Sequence, residues 1–351
     1  MSDLNGKKVV VAMSGGIDSS VCAYILKQQG FEVVGVTGKM FNSPASDAIC
    51  EKAKTVADKL GIEHQVLDLS QDFRTNVIEY FQNSYKKGYT PNPCIKCNKH
   101  IKWGKIFNWA MDEIGADFYA TGHYAQIINK DNLFFLYPAN DERKDQIYYL
   151  FELTQSQLAR TLFPLSNRTK EEIKNIAFDL GFATKEEYKE SQDVCFIPKT
   201  THTQKYLVDL FGKKEGDFVL IDNGKRMGIH TGFYQYTIGQ RKGVGIAYTE
   251  PLYVVEIDAD QNIVYLGTKD KLYKQELKLS GFNLIDTTKG TSFEAYAKIR
   301  NNMPLQKVNV ELKDEECILH FETPVSAITN GQAAVLYDID DKHLIGGAWI
   351  G

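Results

Sequence analysis

Several features that would place this chain of 351 residues in a membrane or secretory class are missing. No apolar run approaches the length of a membrane span, and the first residues, Met1–Gly6, resemble neither a signal nor a transit peptide. We therefore expect a cytoplasmic protein that does not enter a membrane. In that compartment its six cysteines are expected to be free thiols, metal ligands or catalysts rather than structural disulfides.

An excess of positive charge is also missing. The net charge is −4, from 41 basic and 45 acidic residues, and neither residues 1–199 nor the remainder is basic. A non-specific nucleic-acid binder needs a broad positive field, so this class is disfavoured. A local basic patch remains compatible with the charge, and the densest one in the first half contains Lys99, His100, Lys102 and Lys105.

Three common motifs are absent too. The chain contains neither a Gly-x-x-x-x-Gly-Lys-Ser/Thr phosphate loop nor a Gly-x-Gly-x-x-Gly dinucleotide fingerprint. Its one Cys-x-x-Cys, from Cys94 to Cys97, has no second such pair and no closely spaced histidines to complete the four ligands of a structural zinc. These absences disfavour a kinase-type nucleotide site, a dinucleotide site and a zinc module.

A different phosphate loop is present near the start of the chain. Val9–Ala12 is a short apolar run rich in β-branched residues, which predicts a buried strand. Gly15 and Gly16 follow, where the backbone can turn with positive φ and point successive N–H groups at one anion. A helix begins at once and ends near Gly30, and its N-terminus favours phosphate.

The order of elements predicts the fold. Strands alternate with helices, which is typical of an α/β N-terminal domain with a parallel, doubly wound sheet. The predicted strands are 32–36, 64–69 and 117–121, and the predicted helices are 48–60, 72–85, 99–115 and 168–181. Two prolines predict an irregular loop over 90–98.

Beyond residue 200 the pattern changes to short alternating strands separated by glycine turns. This pattern predicts a small central β-rich domain and then a C-terminal β-barrel. We place the boundaries at 1–199 for the catalytic domain, 200–272 for the central domain and 273–351 for the barrel.

The phosphate loop resembles the pyrophosphate loop, Ser-Gly-Gly-x-Asp-Ser, of the N-type ATP pyrophosphatases. Further motifs, in the same order along the whole chain, resemble the bacterial tRNA-specific 2-thiouridylases, the MnmA family. These motifs are Ala12–Ser19, Thr90–Pro93 with Cys97–Lys99, Ala120–Tyr124, Lys144–Gln146, Val194–Ile197, Gly239–Gly243 and Gly331–Gln332.

The resemblance implies an activity. The enzyme would use ATP to adenylate the C2 oxygen of the wobble uridine in certain tRNAs and would then replace that oxygen with sulfur. Cys195 would carry a persulfide from a cysteine desulfurase or sulfur relay protein. Cys97 would be the nucleophile, either releasing sulfide from that persulfide or resolving it as a Cys97–Cys195 disulfide, and Asp18 would lie near Mg²⁺.

The resemblance also implies two sets of binding residues. The ATP set is Ala12, Met13, Ser14, Gly15, Gly16, Ile17, Asp18, Ser19, Gly38 and Gly122. The tRNA set is Asn92, Pro93, Cys94, His123, Lys144, Asp145, Gln146, Arg300, Asn301 and Gln332.

One position departs from the family pattern. Many members have aspartate where this chain has Cys94, so Cys94, Cys97 and Cys195 occupy positions where a related group of tRNA-thiolating enzymes holds a 4Fe-4S cluster with three cysteines. The alternative is that Cys94 only lines the base pocket. Two other interpretations stay open: another N-type ATP pyrophosphatase with a small-molecule substrate, and a non-catalytic RNA-binding or zinc protein.

Overall fold

The computed structural model describes residues 6–186, 188, 194–198, 200–313 and 316–351. The chain divides into two compact units. Unit 1 contains residues 1–77, 94–190 and 340–344, and unit 2 contains residues 78–93, 191–339 and 345–351.

Helices of three kinds occur among the described residues. The α-helices are α1 (Ile17–Gln28), α2 (Pro44–Leu60), α3 (Ser70–Phe73), α4 (Tyr80–Lys86), α5 (Pro93–Lys96), α6 (Phe107–Asp112), α7 (Gln155–Leu158), α8 (Lys170–Asp179) and α9 (Thr203–Phe211). Two segments are π-helical, Arg74–Glu79 and Cys97–Ile106, and three are 3₁₀-helical, Ile147–Leu150, Phe233–Gln235 and Lys269–Leu272. No helix among the described residues is long and apolar enough to cross a membrane.

Strands make up the rest of the regular structure. The first seven are β1 (Lys8–Ala12), β2 (Glu32–Lys39), β3 (Glu63–Asp68), β4 (Phe118–Ala120), β5 (Gln126–Lys130), β6 (Leu133–Tyr137) and β7 (Thr161–Leu162). The others are β8 (Gly216–Leu220), β9 (Arg226–His230), β10 (Tyr253–Asp258), β11 (Ile263–Gly267), β12 (Tyr273–Leu284), β13 (Ser292–Lys298), β14 (Gln306–Lys313), β15 (Glu316–Ser326), β16 (Ala333–Tyr337) and β17 (Leu344–Trp349).

A parallel five-stranded sheet is the centre of unit 1. Its strand order is β3-β2-β1-β4-β7, and each neighbouring pair runs parallel. Val9, Val10 and Val11 of β1 are fully buried because the central strand is covered on both faces. The order reverses direction between β2 and β4 around β1, and the carboxyl ends of strands at such a switch point are where α/β folds bind ligands. The predicted N-terminal fold is confirmed.

Unit 2 contains the predicted β-rich parts. A four-stranded sheet has the order β10-β11-β8-β9. Six antiparallel strands, β12, β15, β14, β13, β16 and β17, then close on themselves because β12 also pairs with β17. Closure removes exposed strand edges, and the interior is filled by apolar side chains such as Leu319 and Leu336. The predicted C-terminal barrel is also confirmed.

Two local predictions were wrong. The irregular loop predicted for 90–98 ends early, because a helix begins at Pro93. Proline is compatible with the first position of a helix, where its missing N–H has no partner to lose. The helix predicted from residue 48 begins at Pro44 for the same reason, and the Ser43 side chain caps it by accepting a bond from the N–H of Ser46.

Candidate functional site

The phosphate loop connects β1 to α1 and is held by its own polar groups. The Ser14 N–H donates to Ser19 Oγ at 3.1 Å, and Ser19 Oγ donates to the Gly16 carbonyl at 3.0 Å. Gly15 has a φ of +67°, whereas Gly16 has an ordinary φ of −89° and precedes the helix. Only the first of the two glycines therefore uses the left-handed conformation predicted from the sequence.

The neighbouring strand supports this loop. Thr37 Oγ1 on β2 donates to the Met13 carbonyl at 2.8 Å and lies 2.9 Å from His64 Nε2 on β3. Since the Thr37 hydroxyl proton is already used, His64 must donate at Nε2. The backbone of the loop is thus held in place from two strands.

Asp18 is engaged by a lysine from a distant helix. Lys170 Nζ lies 2.6 Å from both Asp18 oxygens, and the Tyr124 hydroxyl donates to Asp18 Oδ1 at 2.9 Å. Burial and the Asp18 charge both raise the pKa of Tyr124. Lys170 is the first residue of α8, where Thr169 and Glu172 form a capping box. No sequence pattern indicates this partner, because Lys170 resembles any polar residue in the first turn of a helix.

Gly122 follows β4 and packs directly against the start of α1. A Cβ at Gly122 would lie 2.9 Å from the carbonyl carbon of Asp18 and from the backbone nitrogen of Ser19. Glycine is therefore required sterically at this position, although its φ is not positive.

These elements surround one cavity of about 210 Å³ in unit 1. Seven residues of the predicted ATP set line it, namely Ala12, Met13, Ser14, Asp18, Ser19, Gly38 and Gly122. From the predicted tRNA set, His123 and Gln146 line it as well. Five further lining residues were not predicted as part of any site: Val36, Met40, Lys102, Ile106 and Thr121.

The two thiols of the Cys-x-x-Cys are presented from a helix. Cys94 lies in α5 and Cys97 begins the π-helical segment, where Asn98 donates to the Tyr149 carbonyl at 2.9 Å. Cys94 is an exposed residue and Cys97 is half-buried. Partial desolvation by the surrounding protein atoms nevertheless raises the pKa of both thiols. The positive charge of Lys102 lowers both pKa values.

His123 connects Lys102 to the end of β4. Its Nδ1 lies 2.7 Å from Thr121 Oγ1 and its Nε2 lies 3.2 Å from Lys102 Nζ. The ring is buried beside Trp103 and Phe163. Burial, followed by the charge of Lys102, holds the pKa of His123 well below its usual range. His123 is therefore neutral at pH 7.

Family models match this chain along nearly all of its length. The model described as the tRNA methyl transferase HUP domain matches residues 7–199, the PRC-barrel domain of the same name matches 204–268, and the aminomethyltransferase beta-barrel domain matches 274–350. A relative from Pelobacter propionicus, named tRNA-specific 2-thiouridylase MnmA, is 43% identical over 97% of this chain and 96% of its own length. The chain belongs to the MnmA family.

Other MnmA relatives agree in length and similarity. Proteins of that name from Clostridium botulinum and Clostridium acetobutylicum are 42% and 40% identical, each covering 98% of this chain and 99% of its own length. Membership supports the use of ATP and a tRNA substrate. A solved structure of the U34-tRNA thiolase NcsA from Methanococcus maripaludis, described with its [4Fe-4S] cluster, has a TM-score of 0.37 and 20% identity over 54% of this chain and 61% of that chain. That likeness is too low to support an argument about the site.

In this MnmA family member, part of the predicted tRNA set gathers in unit 2. Gln332 Nε2 donates to the Thr90 carbonyl at 2.7 Å, two residues before Asn92 and three before the buried Pro93. Arg300 Nη2 donates to the Ile238 carbonyl at 2.9 Å and also contacts Thr329 Oγ1. Asn301 is half-buried, and its Nδ2 donates to Asn302 Oδ1.

The remaining predicted residues lie as follows. In unit 1, Asp145 Oδ1 accepts the Ala139 N–H at 3.2 Å, and Gln146 Oε1 accepts the Tyr124 N–H at 2.9 Å. Lys144 is half-buried in the same loop. Cys195 is an exposed residue of the described segment 194–198 in unit 2.

Proposed function

We propose that this chain is a tRNA-uridine 2-sulfurtransferase. It adenylates the C2 oxygen of the wobble uridine with ATP and then replaces that oxygen with sulfur, giving 2-thiouridine, AMP and pyrophosphate. One observation supports the proposal beyond family membership: the phosphate loop and the helical segment that begins at Cys97 line the same cavity. The loop contributes Ser14, Asp18 and Ser19, and the helical segment contributes Lys102 and Ile106.

The adenylation step uses the loop. The uridine O2 attacks the α-phosphorus of ATP, a new O–P bond forms, and the bond to pyrophosphate breaks. The N3 proton of the uridine leaves, so the product is a neutral O-adenylated base. The N–H groups at the start of α1, with the hydroxyls of Ser14 and Ser19, bind phosphate oxygens.

Asp18 fits a magnesium site. Mg²⁺ usually takes one or two carboxylates together with phosphate oxygens, and the Asp18 side chain is 33% exposed. When bound, the metal supplies charge neutralisation on the phosphates. Lys170 holds the Asp18 carboxylate in position at the loop.

The sulfur step uses thiols. A persulfide on Cys195, supplied by a desulfurase or relay protein, is attacked by the Cys97 thiolate. A Cys97–Cys195 disulfide forms, hydrosulfide leaves and attacks C2, and the C2–O bond breaks with release of AMP. A thiol reductant must then supply two electrons to restore both cysteines. The reaction takes place in the cytoplasm, with its tRNA substrate.

A 4Fe-4S cluster on Cys94, Cys97 and Cys195 remains a prediction. Unit 1 supplies two adjacent thiols, and the described residues contain no group of three or more His, Cys, Asp or Glu side chains placed to hold a metal ion. The third cysteine, Cys195, belongs to unit 2, so we derive no step through a cluster. Iron and sulfide analysis of anaerobically purified protein and of Cys94→Asp tests the prediction.

The function is tested by measuring AMP formation from ATP with and without tRNA. We expect AMP and pyrophosphate only when tRNA is present, whereas an ATP pyrophosphatase with a small-molecule substrate would show no tRNA dependence. Asp18→Ala should lower AMP formation by about 100-fold or more, because the carboxylate that would hold Mg²⁺ at the phosphates is lost. It should also cost about 1–3 kcal/mol of unfolding free energy, since Lys170 loses its partner.

Asp58→Ala is the matched control. Asp58 is an exposed carboxylate in α2 that pairs with Lys54, so its loss should leave AMP formation unchanged. If folded Asp18→Ala, as judged by its thermal unfolding transition, forms AMP at the wild-type rate, the ATP assignment of the loop is wrong.

A further inference from the structure

The charges around the cavity are unevenly balanced. The carboxylate of Asp18 is paired with Lys170 at 2.6 Å, and the Lys170 side chain is only 11% exposed. Among the residues that line the cavity, Asp18 is the one carboxylate and Lys102 is the one lysine. Asp18 is paired with Lys170, which lies outside the cavity lining. The charge of Lys102 therefore has no counter-ion among the residues that line the cavity.

Lys102 differs from the other lysines of its helix. Lys96 and Lys99 both pair with Glu152, and Lys105 pairs with Asp72 at 2.9 Å. Lys102 forms no ion pair within the described ranges, and its side-chain polar contact is the neutral His123 ring. It is half-buried, so water screens its charge less than that of an exposed lysine.

The His123 ring fixes the direction of this lysine. An ammonium group can only donate, so Nε2 must accept from Lys102. The ring proton is then on Nδ1 and is donated to Thr121 Oγ1 at 2.7 Å. This arrangement leaves the other protons of the Lys102 ammonium free to face the cavity.

Lys102 has no counter-ion among the described residues, and the phosphate loop lines the same cavity. These two features together favour the binding of an anion. The loop itself lacks the lysine that kinase-type loops direct at phosphate. The α-phosphorus must lie between the loop, which holds pyrophosphate, and the helix of Cys97, where sulfur reaches C2. Lys102 belongs to that helix, five residues after Cys97, and lines the same cavity.

We propose that Lys102 is a catalytic residue whose ammonium group binds the α-phosphate of ATP and then of the adenylated uridine, with His123 and Thr121 as its positioning residues. The inference rests on the proposed function and deepens it. During adenylation the ammonium stabilises the charge on the α-phosphate while the O–P bond forms and pyrophosphate leaves. During sulfur insertion it stabilises AMP as the leaving group when the C2–O bond breaks.

The experiment compares Lys102→Met with Lys105→Met. Both replace a lysine of the same helical region by an unbranched side chain that favours helix, but Lys105 pairs with Asp72 and lies outside the cavity lining. In single-turnover assays with saturating ATP and tRNA, Lys102→Met should form AMP about 100-fold more slowly, the loss typical of removing one such donor. Lys105→Met should match wild type, and Lys102→Arg should recover part of the rate.

Two binding measurements separate this role from others. We expect the tRNA affinity of Lys102→Met, by filter binding at matched salt, to stay within about twofold of wild type, because the lysine contacts nucleotide phosphate rather than the RNA backbone. AMP affinity without tRNA should fall. If tRNA binding falls as much as AMP formation, or if AMP formation and AMP affinity are unchanged, the inference is overturned.

The same data distinguish failure of the inference from failure of the function. If wild type forms no AMP with tRNA, yet Lys102→Met loses AMP affinity, the function is wrong and the anion site stands. If wild type forms AMP and Lys102→Met does so equally fast, the function stands and the inference falls.

The positioning residues are tested through rescue. His123→Leu should lower the maximal rate of AMP formation more than it raises the KM for ATP. His123→Gln should recover part of that rate, because its side-chain oxygen can still accept from Lys102. Equal rates for the two variants would contradict the positioning role.

Discussion

The phosphate loop, residues 12–19, and the cysteine segment, residues 94–106, contribute to one cavity but differ in how far their polar groups are satisfied. In the loop, Ser14, Ser19 and Asp18 all have partners within the protein. In the cysteine segment, two thiols have raised pKa values and Lys102 has no carboxylate partner among the described residues. The polar groups of the loop are thus satisfied within the protein, whereas in the cysteine segment Lys102 has only a neutral partner in the described part of the chain.

Replacing Cys97, the proposed nucleophile, should give the largest effect. In Cys97→Ser we expect 2-thiouridine formation to fall by a factor on the order of 10³ or more, because a serine hydroxyl cannot replace a thiolate. AMP formation should continue, since the loop is complete without the thiol. Mass spectrometry of tRNA nucleosides and AMP measurement follow the two steps separately.

The control for Cys97→Ser is Cys50→Ser. Cys50 is a half-buried residue of α2 outside the cavity lining, and its variant should thiolate tRNA normally. If Cys97→Ser thiolated tRNA at the wild-type rate, the proposed role of the cysteine segment in sulfur transfer would be wrong.

Crowding the loop should give an intermediate effect. In Gly122→Ala the added methyl group would lie 2.9 Å from the backbone of Asp18 and Ser19, so the first turn of α1 must move. A displacement of this kind costs about 10–100-fold in AMP formation and about 1–3 kcal/mol in unfolding free energy. Denaturant unfolding and single-turnover assays measure both.

Gly290→Ala serves as the comparison for Gly122→Ala. A Cβ at Gly290 meets nothing within 4 Å, so both quantities should be unchanged. A Gly122→Ala protein with wild-type stability and activity would show that the loop is more adaptable than its bonds suggest.

The smallest predicted effect concerns pH. Because the folded pKa of His123 lies well below the unfolded value of about 6.5, the unfolded state takes up a proton first as the pH falls. The stability contribution is therefore complete above pH 6.5 and is lost below it, by about 1 kcal/mol between pH 6.5 and 5.5. His123→Gln should lack this component. Identical pH profiles of unfolding free energy for the two proteins would contradict a neutral His123.

Local sequence patterns were sufficient for most of the fold. The valines of β1 and the glycines after it predicted the buried strand and the loop, because strand burial and turn chemistry are encoded within a few residues. The same rules failed at Pro93, where a proline can either break a helix or begin one. The hairpin of β5 and β6 was not predicted, since its residues lack a clear alternation.

Site residues could be predicted from the sequence only where they belong to a recognisable motif. Ser14, Asp18 and Gly122 lie in motifs, whereas the partner of Asp18 is Lys170, 152 residues away. No local pattern encodes such a pair. The role proposed for Lys102 likewise rests on its having no carboxylate partner among the described residues, which becomes evident only in the folded chain.

The segment Cys97–Ile106 is π-helical, a geometry that is rare in proteins and is found mostly at functional sites. Bonding between residues five apart brings Lys102 one turn above Cys97, whereas in an α-helix a residue five positions on is turned well away from the first. If the segment relaxed into ordinary α-helical turns with its sequence unchanged, the two side chains would point to different faces of the helix. The rare π-helical bonding is therefore what keeps Lys102 on the same face of the segment as Cys97.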